Sequence, residues 1–468
     1  MRLRCSSRVW PEVSKRSGAR VGLAVAAGAA AGYIASRPTL VPWPGRIRPA
    51  LIAALGSITA GTTYIAVGSA GLRRGGPPGI RQRVRSVAVA SIGAAGAVGA
   101  YRLAKGQATA RLTPGGQRIE AGFADAPRLE TVSGGPGSLV DYATVGREGA
   151  RFLSSSVPPE VVAEVTGEPP LMPGIRVFVG FDSADTPEER VELALQELRR
   201  TGAYDRSHLL VGAPAGSGYA NSTPVDVLEI LTRGDCAAVA VGYGLLPSFL
   251  SLDRVPLAAR TQKLLLDGIA RDLDGRHRRP RLLLYGESLG ARVQEAAIPA
   301  GTSDLDRLGV DAALWVGTPG GPESVSFHAA VAGESITVDR PEQIPDSLPE
   351  PRPRVWFLEH DGDPVVRFEP TIAYRRPPWL ASRPRGRNVP DQMLWAPGIT
   401  WTQVLVDTLF ATNIKPGSFE SRGHDYRADL GATVRAAYGL SADQGTAERL
   451  ESALRALEIA RAERVNEA

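Results

Sequence analysis

The stretch RPRLLLYGESLGARVQEAA, Arg279 to Ala297, decides the fold. RLLLYG reads as a buried strand and ARVQEAA as the start of a helix, with Ser288 at the turn between them and Gly286 and Gly290 two residues either side. A strand that turns sharply into a helix leaves no room for side chains at those flanks, where they would strike the neighbouring strand and the helix itself; glycine removes them. The serine hydroxyl then projects above the sheet edge, and the helix offers its first N–H groups to a developing negative charge. This is the pattern of a nucleophile elbow. With 52 glycines in the chain, G-x-S-x-G alone is a weak signal, and a glycine-flanked serine in an ordinary βα loop is the competing reading. The weight comes from its single occurrence, in a strand–turn–helix context.

Working outward, apolar β-rich runs recur: IRVFVGF, HLLVGA, CAAVAVGY, RLLLYG, AALWVG and RVWFLE. Between several of them lie amphipathic runs such as PEERVELALQELRRTG and AARTQKLLLDGIARDL. Continuous apolar strands alternating with helices predict an α/β fold, a mostly parallel sheet covered on both faces. The tail TAERLESALRALEIARAERV, with Leu450, Leu454 and Leu457 on one stripe, predicts a closing amphipathic helix.

A serine nucleophile needs a base to take its proton and an acid to orient that base, and in an elbow fold acid and histidine follow the serine in that order. HDGDPVV, after the strand RVWFLE, offers Asp361 and Asp363; Asp363 is preferred as the acid. Of the five histidines, His208 precedes the elbow, His277 sits in the basic run GRHRRP, His328 precedes the acid, and His360 is too close to it in sequence. That leaves His424, in SRGHDYRADL, as the base, with a helix cap as its bland alternative. The oxyanion hole is expected from the N–H of Leu289 and one earlier N–H, with Gly216 in GAPAGSGYAN preferred over Ser183 in GFDSA. Glu287 is expected to pack or support. No cluster of metal ligands and no P-loop pattern is present in the sequence, so neither a metal nor a cofactor is predicted.

Charge divides the chain. Residues 1–105 carry 16 Lys and Arg against one acid, Glu12; the remainder holds 38 bases and 48 acids. No basic stripe runs over the larger part, so nucleic acid is not an expected partner. The two cysteines, Cys5 and Cys236, exclude a disulfide framework. Three uncharged apolar stretches, 21–36, 50–72 and 87–101, are bracketed by arginines. Their alternative is a signal peptide, but three in succession predict a multi-pass anchor of about three spans. The segments before them carry six, three and five Lys or Arg, an alternation that keeps the N-terminus inside and sends the chain after Lys105 to the outer face of the plasma membrane. The expected organisation is a basic tail (1–20), a transmembrane helical section (21–105), a Gly/Pro/Ser-rich connector (106–172), a catalytic domain (173–440) and a C-terminal helix (441–468). Stretches 318–353 and 371–420, with Trp379, Trp395 and Trp401, are expected to cover the site as a lid or acyl wall, or to be plain surface.

The residues resemble the membrane-anchored α/β-hydrolase proteins of actinobacteria. RPTLVP (37–42), SGGPGSLVDYATVGREGARF (133–152), GFDSA, RTGAYDR, GESLGA, HDGDPVV and GHDY carry the likeness, which covers most of the chain. GAPAGSG departs from it, since the family usually has threonine after the proline. The resemblance implies serine hydrolase chemistry and leaves the substrate open; the expected anchor, which would confine the domain to a bilayer surface, points to a lipase or esterase acting on lipid-like esters at the membrane or envelope. An acyltransferase or thioesterase using the same triad, and a catalytically silent assembly module, are the alternatives.

Overall fold

Two short helices, α1 (Gly146–Leu153) and α2 (Pro159–Thr166), lead into β1 (Ile175–Val179) and α3 (Pro187–Arg200). Thr186 and Glu189 close the start of α3 reciprocally, each side chain accepting from the other's backbone N–H at 3.2 and 3.0 Å. Then come β2 (His208–Ala213), α4 (Thr223–Leu231), β3 (Cys236–Val241) and α5 (Val255–Leu273). Strand β4 (Arg281–Glu287) feeds α6 (Leu289–Ala297); α7 (Thr302–Leu308), β5 (Val310–Val316), α8 (Pro322–Val331), β6 (Ser335–Val338) and β7 (Val355–Leu358) follow. Helices α9 (Pro364–Arg367), α10 (Pro378–Ala381), α11 (Ile399–Phe410), α12 (Arg427–Tyr438) and α13 (Gln444–Asn466) complete the chain.

The strands form one seven-stranded sheet in the order β1-β3-β2-β4-β5-β7-β6, and every neighbouring pair is parallel. Parallel strands need crossovers, and the helices that make them bury both faces of the sheet. Strands β1, β3 and β7 are accordingly buried along their whole length. One layer of helices is built on α3, α5 and α6; the other on α2, α4, α12 and α13. Because all strands run the same way, the loops after β4, β5 and β7 emerge on one edge, where the chemistry-bearing residues collect. The expected strands all form. Edge strand β6 was not among them: SITV is four residues long and mostly part-exposed, so it leaves no apolar run to read.

This computed structural model describes residues 38–42, 112–248, 251–411 and 417–466. The apolar stretches 21–36, 50–72 and 87–101, expected as membrane spans, lie outside the described residues. Among the described residues no helix is long and apolar enough to cross a membrane.

Two regions differ from expectation. The expected connector is part of the folded unit from residue 112 on: Phe123, Val132, Tyr142, Phe152, Leu153, Val162 and Val165 are buried in the same core as the sheet. Its glycines and prolines make turns between buried side chains, which composition alone cannot tell from a linker. The stretch 318–353 supplies α8 and edge strand β6, so it extends the sheet rather than covering it. Beyond β7, a second apolar cluster forms from Leu380, Val389, Met393 and Val404, with Phe368, Trp379 and Trp395 against it. We name residues 364–411, which follow β7 and hold this cluster, the lid segment or lid, a name for their place in the chain alone. Its fifth buried member is Leu40, from the far N-terminal side of the chain.

Candidate active site

The turn from β4 into α6 has the geometry the glycines imply. A Cβ on Gly286 would fall 2.6 Å from the Ala291 Cα, and one on Gly290 would strike the Ala213 carbonyl oxygen. Ser288 sits between them at φ 54°, ψ −124°, a conformation side-chain-bearing residues rarely adopt. The surroundings hold it there. Its N–H donates to Val316 O at 2.8 Å. The fully buried Gln294 anchors α6, donating to Val211 O and Tyr285 O at 2.9 Å each and accepting from Trp315 Nε1 at 3.2 Å. Strain maintained this firmly at a half-buried serine is typical of a functional position.

The acid and base candidates meet. His424 Nδ1 lies 2.6 Å from Asp363 Oδ2, and both side chains are buried. Asp363 caps α9: its Oδ1 accepts the Val365 N–H at 2.8 Å. His424 Nε2 is buried and has no hydrogen-bond partner. The imidazole edge borders Gly317, where a Cβ would stand 2.7 Å from Cε1. Gly317 directly follows Val316, whose carbonyl holds the Ser288 backbone, so the histidine borders the segment that carries the serine. Burial works against the imidazolium, yet the charge and hydrogen bond of Asp363, with Glu287 and Asp425 beyond, carry the His424 pKa above its ordinary value.

The competing residues have other partners. Asp361 accepts from Arg367 at 2.7 Å and its N–H donates to Asp339. His208 opens β2 at the opposite edge of the sheet, beside Ser207. His277 lies in the loop before β4. His328 stacks on Phe357, and burial and Arg367 push it down to about 4. His360 is buried and pairs with Asp429 at 2.9 Å, which Arg387 also holds.

Leu289 opens α6, so its N–H is among those a helix start leaves without an intrahelical acceptor. In the loop after β2, Pro214 has no N–H and Ala215 donates its own to Tyr219 O at 2.8 Å; Gly216 is next in line. Gly216 itself packs on the segment after β3, where a Cβ would meet Ser251 at 2.6 Å. Ser183 is remote: its hydroxyl is shared with Thr144 and Gly180, and β1 stands three strands from β4, about 14 Å at ordinary strand spacing.

Three groups around the site carry no motif of their own. Tyr426 donates its hydroxyl to Asp363 Oδ2 at 2.6 Å and accepts the His360 N–H. Asn221 and Tyr285 both donate to Glu287 Oε2, at 2.7 and 2.8 Å, and so fix the residue before the serine. Beside Glu287 and His424 opens a cavity of about 370 Å³, walled also by Tyr219, Phe152 and Arg461. The spacing G-H-D-Y was the only trace of Tyr426 in the sequence. Among the described residues no group of three or more His, Cys, Asp or Glu is disposed to hold a metal.

Comparison with known proteins agrees with this geometry. The alpha/beta-hydrolase family matches residues 175–454, more than half of the chain. The chain belongs to that family. Its matched region begins at the first residue of β1 and runs into α13, so the alpha/beta-hydrolase unit holds the whole sheet, the elbow, the lid and the His424 loop. No curated protein and no solved structure matches the chain.

Proposed function

We propose that this alpha/beta-hydrolase is a serine hydrolase of carboxylic esters, working through Ser288, His424 and Asp363. The observation that carries the reading is the 2.6 Å contact of His424 Nδ1 with Asp363, which leaves Nε2 buried, unbonded and beside the strained serine turn. Nε2 takes the Ser288 proton as Oγ attacks the ester carbonyl carbon. The oxyanion that forms is met by the Leu289 N–H and a second N–H from the loop after β2, with Gly216 as the candidate. Collapse breaks the C–O bond, and His424 returns its proton to the departing alcohol. Water, deprotonated by the same nitrogen, then releases the acid and regenerates the hydroxyl. The absence of a Ser288–His424 hydrogen bond fits a resting site that tightens only around substrate.

Lipid-like esters are the proposed substrates, and an N-terminal anchor the proposed setting. The apolar lid supports the first: Tyr374, Leu394 and Leu409 are more than half exposed on it. The arginine-bracketed stretches support the second. So does the seating of Leu40 in the lid, since residues 38–42 and 112–466 must then share one side of any bilayer. Residues 43–111 would cross it an even number of times, as two spans at 50–72 and 87–101 do. A fluorophosphonate probe tests the chemistry: the wild-type chain should be labelled at Ser288, and Ser288→Ala should remain unlabelled. A panel of esters graded in acyl length tests the substrate class; a preference for the shortest, most soluble esters would count against lipids.

A further inference from the structure

We propose that Thr39–Val41 is a strap that positions His424, so that a short segment far upstream of the sheet holds the base of the proposed triad in place. The inference rests on the triad reading above and adds residues that neither the elbow nor the family match contains.

The strap is built into the fold. Leu40 is fully buried among Leu380, Val389, Met393 and Val404, and Val41 is buried beside it. The Leu40 N–H donates to Asp407 Oδ2 on α11 at 3.0 Å, across 367 residues of sequence, and Asp407 is itself fully buried. Thr39 closes the turn by donating its hydroxyl to Val41 O at 2.9 Å. A hydrogen bond between a buried carboxyl group and a buried leucine's backbone, so far apart in sequence, marks a specific seat.

The lid in turn grips the histidine loop. Asn388 Nδ2 donates to Ser421 O at 2.6 Å, and both residues have positive φ, 61° and 47°. The His424 N–H donates to Ala411 O, at the end of α11, at 3.1 Å. Gly423 lies between these fastenings at φ 63°, where a Cβ would stand 2.9 Å from Ala411 O and 2.9 Å from Val41 Cγ1. Val41 therefore packs directly against the residue before the base, and Leu40 fixes the helix from which that base's backbone hangs. Removing the strap frees one side of the loop and slackens the other. The Nδ1–Asp363 bond depends on sub-ångström placement, and small misplacements of catalytic groups cost large factors in rate.

The full-length chain, with Leu40→Asp, Leu40→Ala and Leu40→Met, tests this through two readouts. One is the rate of fluorophosphonate labelling across pH 5 to 9; the other is hydrogen exchange of residues 399–411 and 421–426. The expected result is a fall of about tenfold or more in labelling for Leu40→Asp, and a smaller one for Leu40→Ala. The groups facing the imidazole are Asp363, Glu287, Asp425 and Tyr426. Loosening it from Asp363 should move the acid limb of the profile to lower pH. Exchange should quicken in both segments while strands β2 to β5 keep their protection, and Leu40→Met should restore all three. A strap that only stabilises would leave rate and acid limb at wild-type values in Leu40→Ala, and that result overturns the proposal. If exchange quickens across the whole sheet in Leu40→Asp, Leu40→Ala alone decides. If the wild-type chain fails to label, the triad reading falls with it; unchanged exchange at 421–426 in Leu40→Ala would then also reject the strap as a support of that loop.

Discussion

The Tyr426 hydroxyl and the Asp363 carboxylate meet at 2.6 Å, on the same oxygen that His424 Nδ1 approaches at 2.6 Å. Two donors on one oxygen divide its charge. The tyrosine draws part of it away from the imidazolium, while burial and Asp363 together hold its own pKa well above the ordinary range. Tyr426→Phe should leave Asp363 a stronger partner for His424, raising the imidazole pKa and moving the acid limb of activity to higher pH. Losing a charge-assisted bond, and with it some fixing of the carboxylate, should lower kcat/KM about tenfold. A downward shift of that limb would show that Tyr426 does not act through Asp363.

Asp361 and Asp363 make a paired test. Asp363→Asn removes the charge that raises the His424 pKa, so the acid limb should move down while kcat falls by about 10³-fold or more. Asp361 is tied to Arg367, while the carboxylate on His424 Nδ1 is that of Asp363, so Asp361→Asn should stay within a few-fold of wild type. The reverse ranking of kcat values would reassign the acid.

The sheet, the elbow and the approach of Asp363 to His424 were readable from the chain because each leaves a local signature. Buried parallel strands are continuous apolar runs, the turn demands glycine at two fixed places, and chain order narrows the choice of partners. Leu40 and Tyr426 lie in RPTLVP and GHDY, stretches that carry the family likeness, but neither stretch tells what its side chains touch. Their roles depend on contacts 367 and 63 residues away in sequence, which periodicity and motif spacing do not encode. The stretch 112–172 misled for a related reason. Glycine and proline mark a bend in the backbone, and whether the bend lies in a linker or in a packed core is decided by the side chains that meet across it, here Val132, Tyr142 and Phe152.

Strain at Ser288 should be measurable as lost stability. At φ 54° and ψ −124° the residue pays a conformational cost that glycine avoids. Ser288→Gly should abolish activity and yet stabilise the fold by about 1 kcal/mol, seen as a rise of about one to two degrees in melting temperature. Ser288→Ala, which keeps the Cβ, should gain much less. Equal melting temperatures for the two variants would mean that the turn is unstrained.

Two buried carboxyls behind the elbow should make stability depend on pH. Burial pushes Glu295 up to about 8, Arg292 pulling against it and Glu359 adding to it, and burial pushes Glu359 up to about 7. Both hold protons in the folded chain that they release near the ordinary 4.5 once unfolded. The folded state therefore binds more protons between these values, and stability should fall as pH rises from about 5 to about 8. Glu295→Gln, neutral throughout, should flatten that slope and raise the melting temperature more at pH 8 than at pH 5. An unchanged slope would mean that Glu295 is already ionised at neutral pH.

The seat of Leu40 also makes a topological demand. Residues 38–42 pack into the same folded unit as Asp407, so any membrane crossing made by the chain after residue 42 has to be undone before residue 112. If 50–72 and 87–101 both span, position 76 between them lies on the opposite side from positions 45 and 441. Single cysteines at these three sites, in a chain with Cys5→Ser and the buried Cys236 retained, can be probed with a membrane-impermeant maleimide in intact cells. Positions 45 and 441 should react alike, and position 76 oppositely. Like reactivity at all three would mean that the two stretches do not cross. Opposite reactivity at 45 and 441 is incompatible with a leucine at position 40 buried in the lid, and would remove the strap from the structure altogether.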